Sequence, residues 1–362
     1  MRYSIVIATH NRAEDLRQTL DSLARLRTAD DWEVLVVDNN STDDTRDVVT
    51  SRAKTFPAPL HYLFEAEPGR SPALNTGIRT ARGRIIATTD DDVRVPPDWL
   101  DQAGAALDAL GCDYVGGRVL PIWNGPRPGW LPERSGKHWA VIALLDYGPE
   151  PVAFGARMPL GVNMAFRRSA FDRAGGWDPR VGRRAGTLLG QEVREWCVRA
   201  HTAGLRGWYA PGMMVEHVIP AARLTKQYFR RWYYWRGVSR AMLFAQSGLD
   251  PETPQRTTLD FSRVPQIFGV PRYLYRKAAV IMTRWVRDLS RGDSVASFER
   301  ELWLCFFVGF IRQRWNKGAQ FRTNVTAFRT RSSAPEPQSP VVFPVEPTDD
   351  MRASRLRTPV QP

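Results

Sequence analysis

The chain has 362 residues, 51 Lys and Arg against 38 Asp and Glu, a formal charge of +13 and three cysteines. The charge is segregated: residues 1–219 carry 27 basic and 27 acidic side chains, residues 220–331 carry 21 and 7, and residues 332–362 carry 3 and 4. That excludes a nucleic-acid packaging protein, whose basic charge would run along the whole chain.

Cys112, Cys197 and Cys305 form neither a disulfide framework nor a metal spacing, which points to a reducing, cytosolic setting. The opening Met1-Arg2-Tyr3-Ser4-Ile5-Val6-Ile7 is too short for a signal sequence. The longest apolar run, Leu302 to Ile311, is ten residues, about half of what crosses a bilayer. No membrane span is expected.

In chain order, Ser4-Ile-Val-Ile-Ala8 predicts a strand buried on both faces, with a helix over Glu14–Leu26. Trp32–Val37 predicts the second strand and Asp43–Ala53 the second helix. Leu60–Leu63, a helix over Ser71–Ala81 and a strand over Arg84–Thr88 follow. Continuous apolar strands alternating with helices predict an α/β fold with a mostly parallel sheet covered on both faces. In such sheets ligands bind beyond the carboxyl ends of the strands. Here those ends carry Thr9-His10-Asn11-Arg12, Asp38-Asn39-Asn40 and Asp90-Asp91-Asp92.

Pro121–His138, rich in Pro, Gly and Trp, reads either as a substrate-facing loop or as a surface connection. Gln191–Ala203 predicts a helix, and a further strand begins near Trp208. From Arg223 the pattern is a basic, aromatic helix, then a Pro-containing linker near 250–271 and two amphipathic helices. Seven prolines in 332–362 predict a disordered tail. The expected division is thus a catalytic domain over 1–219, a basic aromatic-rich helical region over 220–331 and the tail.

Asp90-Asp91-Asp92 is the sharpest feature, because three consecutive acids repel one another and folding does not require them. On an extended segment Asp90 and Asp92 would point the same way and converge on one hard cation. The alternative is a solvated or helix-capping turn.

Seven segments taken together carry a resemblance. They are Ser4-Ile-Val-Ile-Ala-Thr-His-Asn-Arg12, Val36-Val-Asp-Asn-Asn-Ser-Thr-Asp43, Gly69-Arg-Ser-Pro-Ala-Leu-Asn-Thr-Gly77, Thr89-Asp-Asp-Asp-Val93, Gly161-Val-Asn-Met-Ala-Phe-Arg-Arg168, Gly175-Gly-Trp-Asp178 and Gly190-Gln-Glu192. Their order, over Met1 to about Gly237, resembles that of the family 2 glycosyltransferases. The resemblance implies a glycosyltransferase-A fold and an inverting single displacement from a nucleotide-sugar donor, with UDP favoured by Asp38.

By the same resemblance Thr9, Arg12 and Asp38 belong to the nucleotide site, Arg70, Asn75 and Asp91 bind the donor, and Asp90 lies near ribose or sugar. Asp92, with Asp90, would bind Mn²⁺ or Mg²⁺, and His217 would complete the metal shell. Turn chemistry is the competing reading of Thr9 and Asp38, and Ser41–Asp44 reads as a helix cap. Glu192 matches the family's catalytic base, but the family's pair of acids is here Gln191-Glu192 and the base is Glu rather than Asp. Glu195, one turn on, is its rival. Arg183 and Arg184 read as donor-phosphate ligands on a mobile loop or as surface residues. Gln227-Tyr-Phe-Arg-Arg-Trp232 has one residue too many for the signature of processive synthases, so single transfer is expected.

The expected partners are a nucleotide-sugar donor and a saccharide or lipid-linked acceptor, and no nucleic acid. The basic region, with Trp232, Tyr233, Tyr234, Trp235, Tyr273, Tyr275, Trp285, Trp303 and Trp315 among its arginines, suits an anionic membrane surface. A peripheral location on the inner face of the cell membrane would follow. Packing of these helices on the core is the alternative. A catalytically inactive scaffold on the same fold is the main functional rival, and the intact Asp90, Asp92 and Glu192 argue against it. A sugar-activating nucleotidyltransferase is disfavoured because no glycine follows the first strand.

Overall fold

Tyr3–Thr9 is apolar and buried along its length, so it can only sit inside a sheet covered on both sides. In the computed structural model, which describes residues 1–133, 138–155, 157–184, 186–248 and 263–324 with side chains through Asn316, it is the central strand β1. Around it alternate α1 (Ala13–Leu23), β2 (Trp32–Asp38), α2 (Thr45–Arg52), β3 (Leu60–Phe64), α3 (Arg70–Thr80) and β4 (Ile85–Thr89). The pairs β1–β2, β2–β3 and β1–β4 are parallel. α3 lies close on this layer because Gly77 faces it: an added Cβ would come within 2.3 Å of Val6.

The second half adds β5 (Val93–Arg94), α4 (Trp99–Ala109), β6 (Tyr114–Asn124), β7 (Val152–Ala153), β8 (Asn163–Arg167), α5 (Arg168–Ala174), α6 (Glu192–Thr202) and β9 (Gly207–Pro220). The sheet order is β3-β2-β1-β4-β8-β6-β9-β5, with β7 also on β9. β8 runs antiparallel to β4 and β6, and β5 antiparallel to β9. The sheet is therefore mixed and mostly parallel in its first half, as expected. One expectation changes: Pro121–Asn124 is not loop but the end of β6, paired with β9 through Asn124. Residues 134–137 of that stretch lie outside the described residues.

An aromatic cluster fixes α6 against this half of the sheet. Trp196 is fully buried and meets the rings of Tyr114 and Phe166 edge-on at 5.1 and 5.0 Å. Its indole nitrogen donates to the Gly175 carbonyl. The amino end of α6 is thereby aimed at the carboxyl ends of the strands.

The basic region contains α7 (Lys226–Ser247), a two-stranded hairpin of β10 (Gln266–Ile267) and β11 (Val270–Pro271), α8 (Arg272–Ser290) and α9 (Ser294–Asn324). α7 and α9 cross in close contact, since a Cβ on Gly237 would lie 2.0 Å from the Phe306 carbonyl oxygen and one on Gly309 2.1 Å from that of Tyr234. Phe229, Tyr233 and Phe244 of α7 are buried. Of the nine aromatic residues expected at a membrane face, only Trp315 is exposed. Residues 1–319 form one compact unit and residues 320–362 another. The expected tail, and the linker as far as residue 262, lie outside the described residues. No described helix is long and apolar enough to cross a membrane.

Candidate active site at the carboxyl ends of the parallel strands

Asp90-Asp91-Asp92 occupies the turn between β4 and β5, not an extended strand. Alternation therefore fails, and each acid has a different partner. Asp90 accepts from Arg70 Nη2 at 2.7 Å and Nε at 3.2 Å. Asp91 is buried and accepts from Thr9 Oγ1 at 2.8 Å and Arg12 Nη1 at 3.1 Å. Asp92 is buried and accepts from Arg12 Nη1 at 2.5 Å, with Arg223 Nη2 3.8 Å away.

His217 reaches this turn through strand pairing. β5 and β9 run antiparallel with Val93 opposite His217, and alternation along β9 buries Val215, His217 and Ile219 on one face. His217 Nε2 lies 3.2 Å from Asp92 Oδ1. Among the described residues no three His, Cys, Asp or Glu side chains gather as a metal cluster. Of the expected trio, Asp92 and His217 lie together, while the turn directs Asp90 to Arg70.

Burial pushes the Asp91 carboxyl up to about 7, against the pull of Arg12 and with help from the charge of Asp92. Burial acts on Asp92 the same way, but His217, Arg12 and Arg223 outweigh it and hold that carboxyl well below the usual range. Asp92 is the acid that stays ionised.

Glu192 is the first residue of α6 and is 7% exposed. Its Oε1 lies 3.6 Å from Arg70 Nη1, and its Oε2 is buried with no hydrogen bond. Arg70 also donates to the Gly161 carbonyl. Burial pulls the Arg70 guanidinium down, but Asp90 and Glu192 raise it above its ordinary value, so it stays charged between them. Glu195, the rival base, is held by Arg199 in a two-point ion pair at 2.6 and 2.8 Å. That arrangement is structural.

Other expected ligands prove to shape the site. Asp38 accepts from the Ser41 backbone at 2.9 Å and from the Tyr62 hydroxyl at 2.8 Å, closing the turn after β2. Only its remaining lone pairs can meet a nucleotide. Asn75 has both ends of its amide on the Trp177 backbone, each at 2.8 Å. Both ends of the amide are thus engaged in clamping α3 to the segment before α6. Thr9 is buried under Asp91, and Arg12 is turned onto the acids. Arg183 lends its carbonyl to the Arg70 backbone N–H at 3.0 Å. Asn11 and Asn40 have φ of +52° and +64°, a conformation Asn tolerates better than most residues. Sequence reasoning missed both this backbone role and Arg223, whose proximity to Asp92 depends on β9.

The Glycosyl transferase family 2 profile matches residues 4–175. The glycosyltransferase AglE of Haloferax volcanii is 30% identical over 277 residues, 73% of this chain and 86% of the relative. The chain belongs to glycosyltransferase family 2. The glucosyl-dolichyl phosphate glucuronosyltransferase of Haloferax volcanii is 26% identical over 256 residues, 67% of this chain and 77% of the relative. Among solved structures, the mannosyltransferase PcManGT of Pyrobaculum calidifontis, in complex with GDP-Man and Mn²⁺, has a TM-score of 0.58 at 20% identity, covering 87% of this chain and 88% of that one. That likeness shows the shared glycosyltransferase-A fold. As a family 2 glycosyltransferase the protein takes its sugar from a nucleotide-sugar donor.

The acid turn of this glycosyltransferase fits a divalent cation as a two-residue site. His217 Nδ1 is buried with no hydrogen bond, which is rare unless a ligand completes the set, and Asp92 Oδ1 is buried with only His217 Nε2, 3.2 Å away, beside it. One carboxylate and one imidazole leave room for diphosphate oxygens, and imidazole favours Mn²⁺ over Mg²⁺.

Proposed function

We propose that the protein is an inverting, metal-dependent hexosyltransferase that moves one sugar from a UDP-sugar to a hydroxyl of a lipid-linked or cell-envelope saccharide. The observation that carries the reading is Glu192 Oε2: a buried carboxylate oxygen with no hydrogen bond, on a side chain beside Arg70, which also holds Asp90. An acceptor hydroxyl supplies the missing donor and loses its proton to that oxygen. The acceptor oxygen bonds to the anomeric carbon as the bond to the diphosphate oxygen breaks, which inverts the centre.

Asp92 and His217 would hold Mn²⁺ or Mg²⁺, which when bound neutralises charge on the leaving nucleotide diphosphate. Arg12 and Arg223, both beside Asp92, add positive charge on the same side of the site. Arg70 stands beside Glu192 and orients Asp90 toward the sugar. The name of the glucuronosyltransferase relative, which specifies a glucosyl-dolichyl phosphate, supports a lipid-linked acceptor.

The test is a donor-hydrolysis screen across nucleotide sugars, with and without Mn²⁺, followed by mass spectrometry of products with saccharide and polyprenyl-phosphate acceptors. Metal-stimulated turnover of one UDP-sugar with inversion is expected. Full turnover in Glu192→Gln would sink the base assignment, and no turnover with any donor would favour a scaffold.

A further inference from the structure

α8 leaves an apolar stripe in solvent. Tyr275, Ala279, Met282, Val286 and Leu289 recur at helical spacing on one side. Val286 is 54% exposed and Leu289 50%, while Leu274 and Asp288 are the residues the helix buries. One row over, Arg272, Arg276 and Arg287 are exposed at the same spacing. A surface helix that packed only on protein would turn such a stripe inward.

The hairpin before α8 extends the patch. Its two-residue loop is Phe268-Gly269, with φ of +49° and +74°. That turn favours Asn-Gly, and a bulky side chain at positive φ is strained. Phe268 is nonetheless there, and it is 72% exposed. Neither the turn nor the core explains it. The tip is joined to the stripe: Tyr275 donates its hydroxyl to the Ile267 carbonyl, Trp315 donates its indole N–H to Tyr275, and the Phe268 and Trp315 rings meet edge-on at 6.1 Å.

Charge selects the occupant. Residues 263–316 hold ten basic and four acidic side chains. Asp288 is paired with Arg300 and Arg287, and Glu301 with Arg230, which leaves Arg272 and Arg276 as the exposed positive charges beside the stripe. A second copy of the same face would bring like charges together. An anionic lipid surface supplies acyl chains for the stripe and phosphates for the arginines.

We propose that α8, the Phe268 tip and Trp315 form an in-plane anchor for an anionic membrane, with the apolar stripe at the headgroup–acyl boundary and Arg272 and Arg276 at lipid phosphates. The inference deepens the lipid-linked acceptor reading, on which its biological sense rests. It relocates the membrane-facing surface from the aromatic residues of α7, which pack inward, to aliphatic residues of α8.

The test is co-sedimentation of the full chain with vesicles of phosphatidylcholine, with or without phosphatidylglycerol. Binding is expected only with phosphatidylglycerol and weakens as salt rises. Met282→Asp, Val286→Asp and Leu289→Asp together should lower partitioning by about tenfold or more. Phe268→Asn is the decisive variant, because Asn suits the turn: it should fold at least as well and bind vesicles more weakly. Arg272→Gln with Arg276→Gln should flatten the salt dependence. Undiminished binding in both Phe268→Asn and the triple variant would overturn the proposal. So would a wild-type protein that ignores vesicles but dissociates from dimer to monomer when the stripe is changed. Hydrolysis of a soluble nucleotide sugar should be unchanged in every variant, so its absence would count against the catalytic reading alone.

Discussion

Arg70 Nη1 stands 3.6 Å from Glu192 Oε1, while the same guanidinium donates to Asp90 Oδ1 at 2.7 Å. One half-buried cation therefore spans Asp90 of the acid turn and Glu192 of α6. Its own place is set by the Gly161 carbonyl, and its backbone N–H is held by Arg183. Removing it leaves Asp90 and Glu192 without the counter-charge they share.

Arg70→Ala should lower kcat/KM by about 100-fold or more, as expected when a charge that holds catalytic groups is lost. Arg70→Lys keeps the charge but not the fork, and should recover only part of the loss. Steady-state kinetics with one donor across the three proteins checks this.

Glu192→Gln should cut transfer by about 10²- to 10⁴-fold, the usual worth of a general base, with thermal stability nearly unchanged. Glu195→Gln should do the reverse. It breaks the two-point pair with Arg199 and should cost about 1–3 kcal/mol of stability while leaving most activity. Parallel melting and rate measurements separate the two acids.

Asp92→Asn or His217→Gln should weaken binding of Mn²⁺ alone, read by electron paramagnetic resonance or calorimetry. Asp90→Asn should affect metal binding least, because its carboxylate is committed to Arg70. Chelator should abolish transfer by the wild type, and Mn²⁺ should restore it. Equal loss of metal binding in all three variants would restore the three-ligand site.

Asn75→Ala should destabilise the fold by about 1–3 kcal/mol, since it orphans the buried N–H and carbonyl of Trp177. The KM for donor should change little in the folded fraction. A large rise in KM without loss of stability would return Asn75 to the donor site.

Glu33 predicts an acid-side loss of stability. Its carboxylate is fully buried and accepts from Ser4 Oγ at 2.7 Å and the Arg82 backbone at 2.7 Å. Burial raises its pKa, but these donors with Arg82 and His61 outweigh that and hold it below the ordinary 4.5. A depressed folded pKa contributes stability above the unfolded value, and that stability is lost as pH falls through the folded one. The urea midpoint should therefore drop below about pH 4.5, and Glu33→Gln should start lower and show a shallower drop.

The sequence by itself determined the strands β1, β2 and β4, the helices between them and the polar residues at their carboxyl ends. Strand and helix periodicity is local, and continuous apolar runs have few other places to go. It also singled out Glu192 and the triple-acid turn. The pairing partners lay beyond it. Asp92 meets His217 only because β5 pairs with β9 in one register, and Arg70 meets Glu192 only because Trp196 pins α6. The same long-range packing separated Glu192 from Glu195, made Asn75 a clamp and turned the aromatic side of α7 inward. Side-chain type is written residue by residue, whereas the charge each one faces is decided by strand register and helix docking, which only the folded chain establishes.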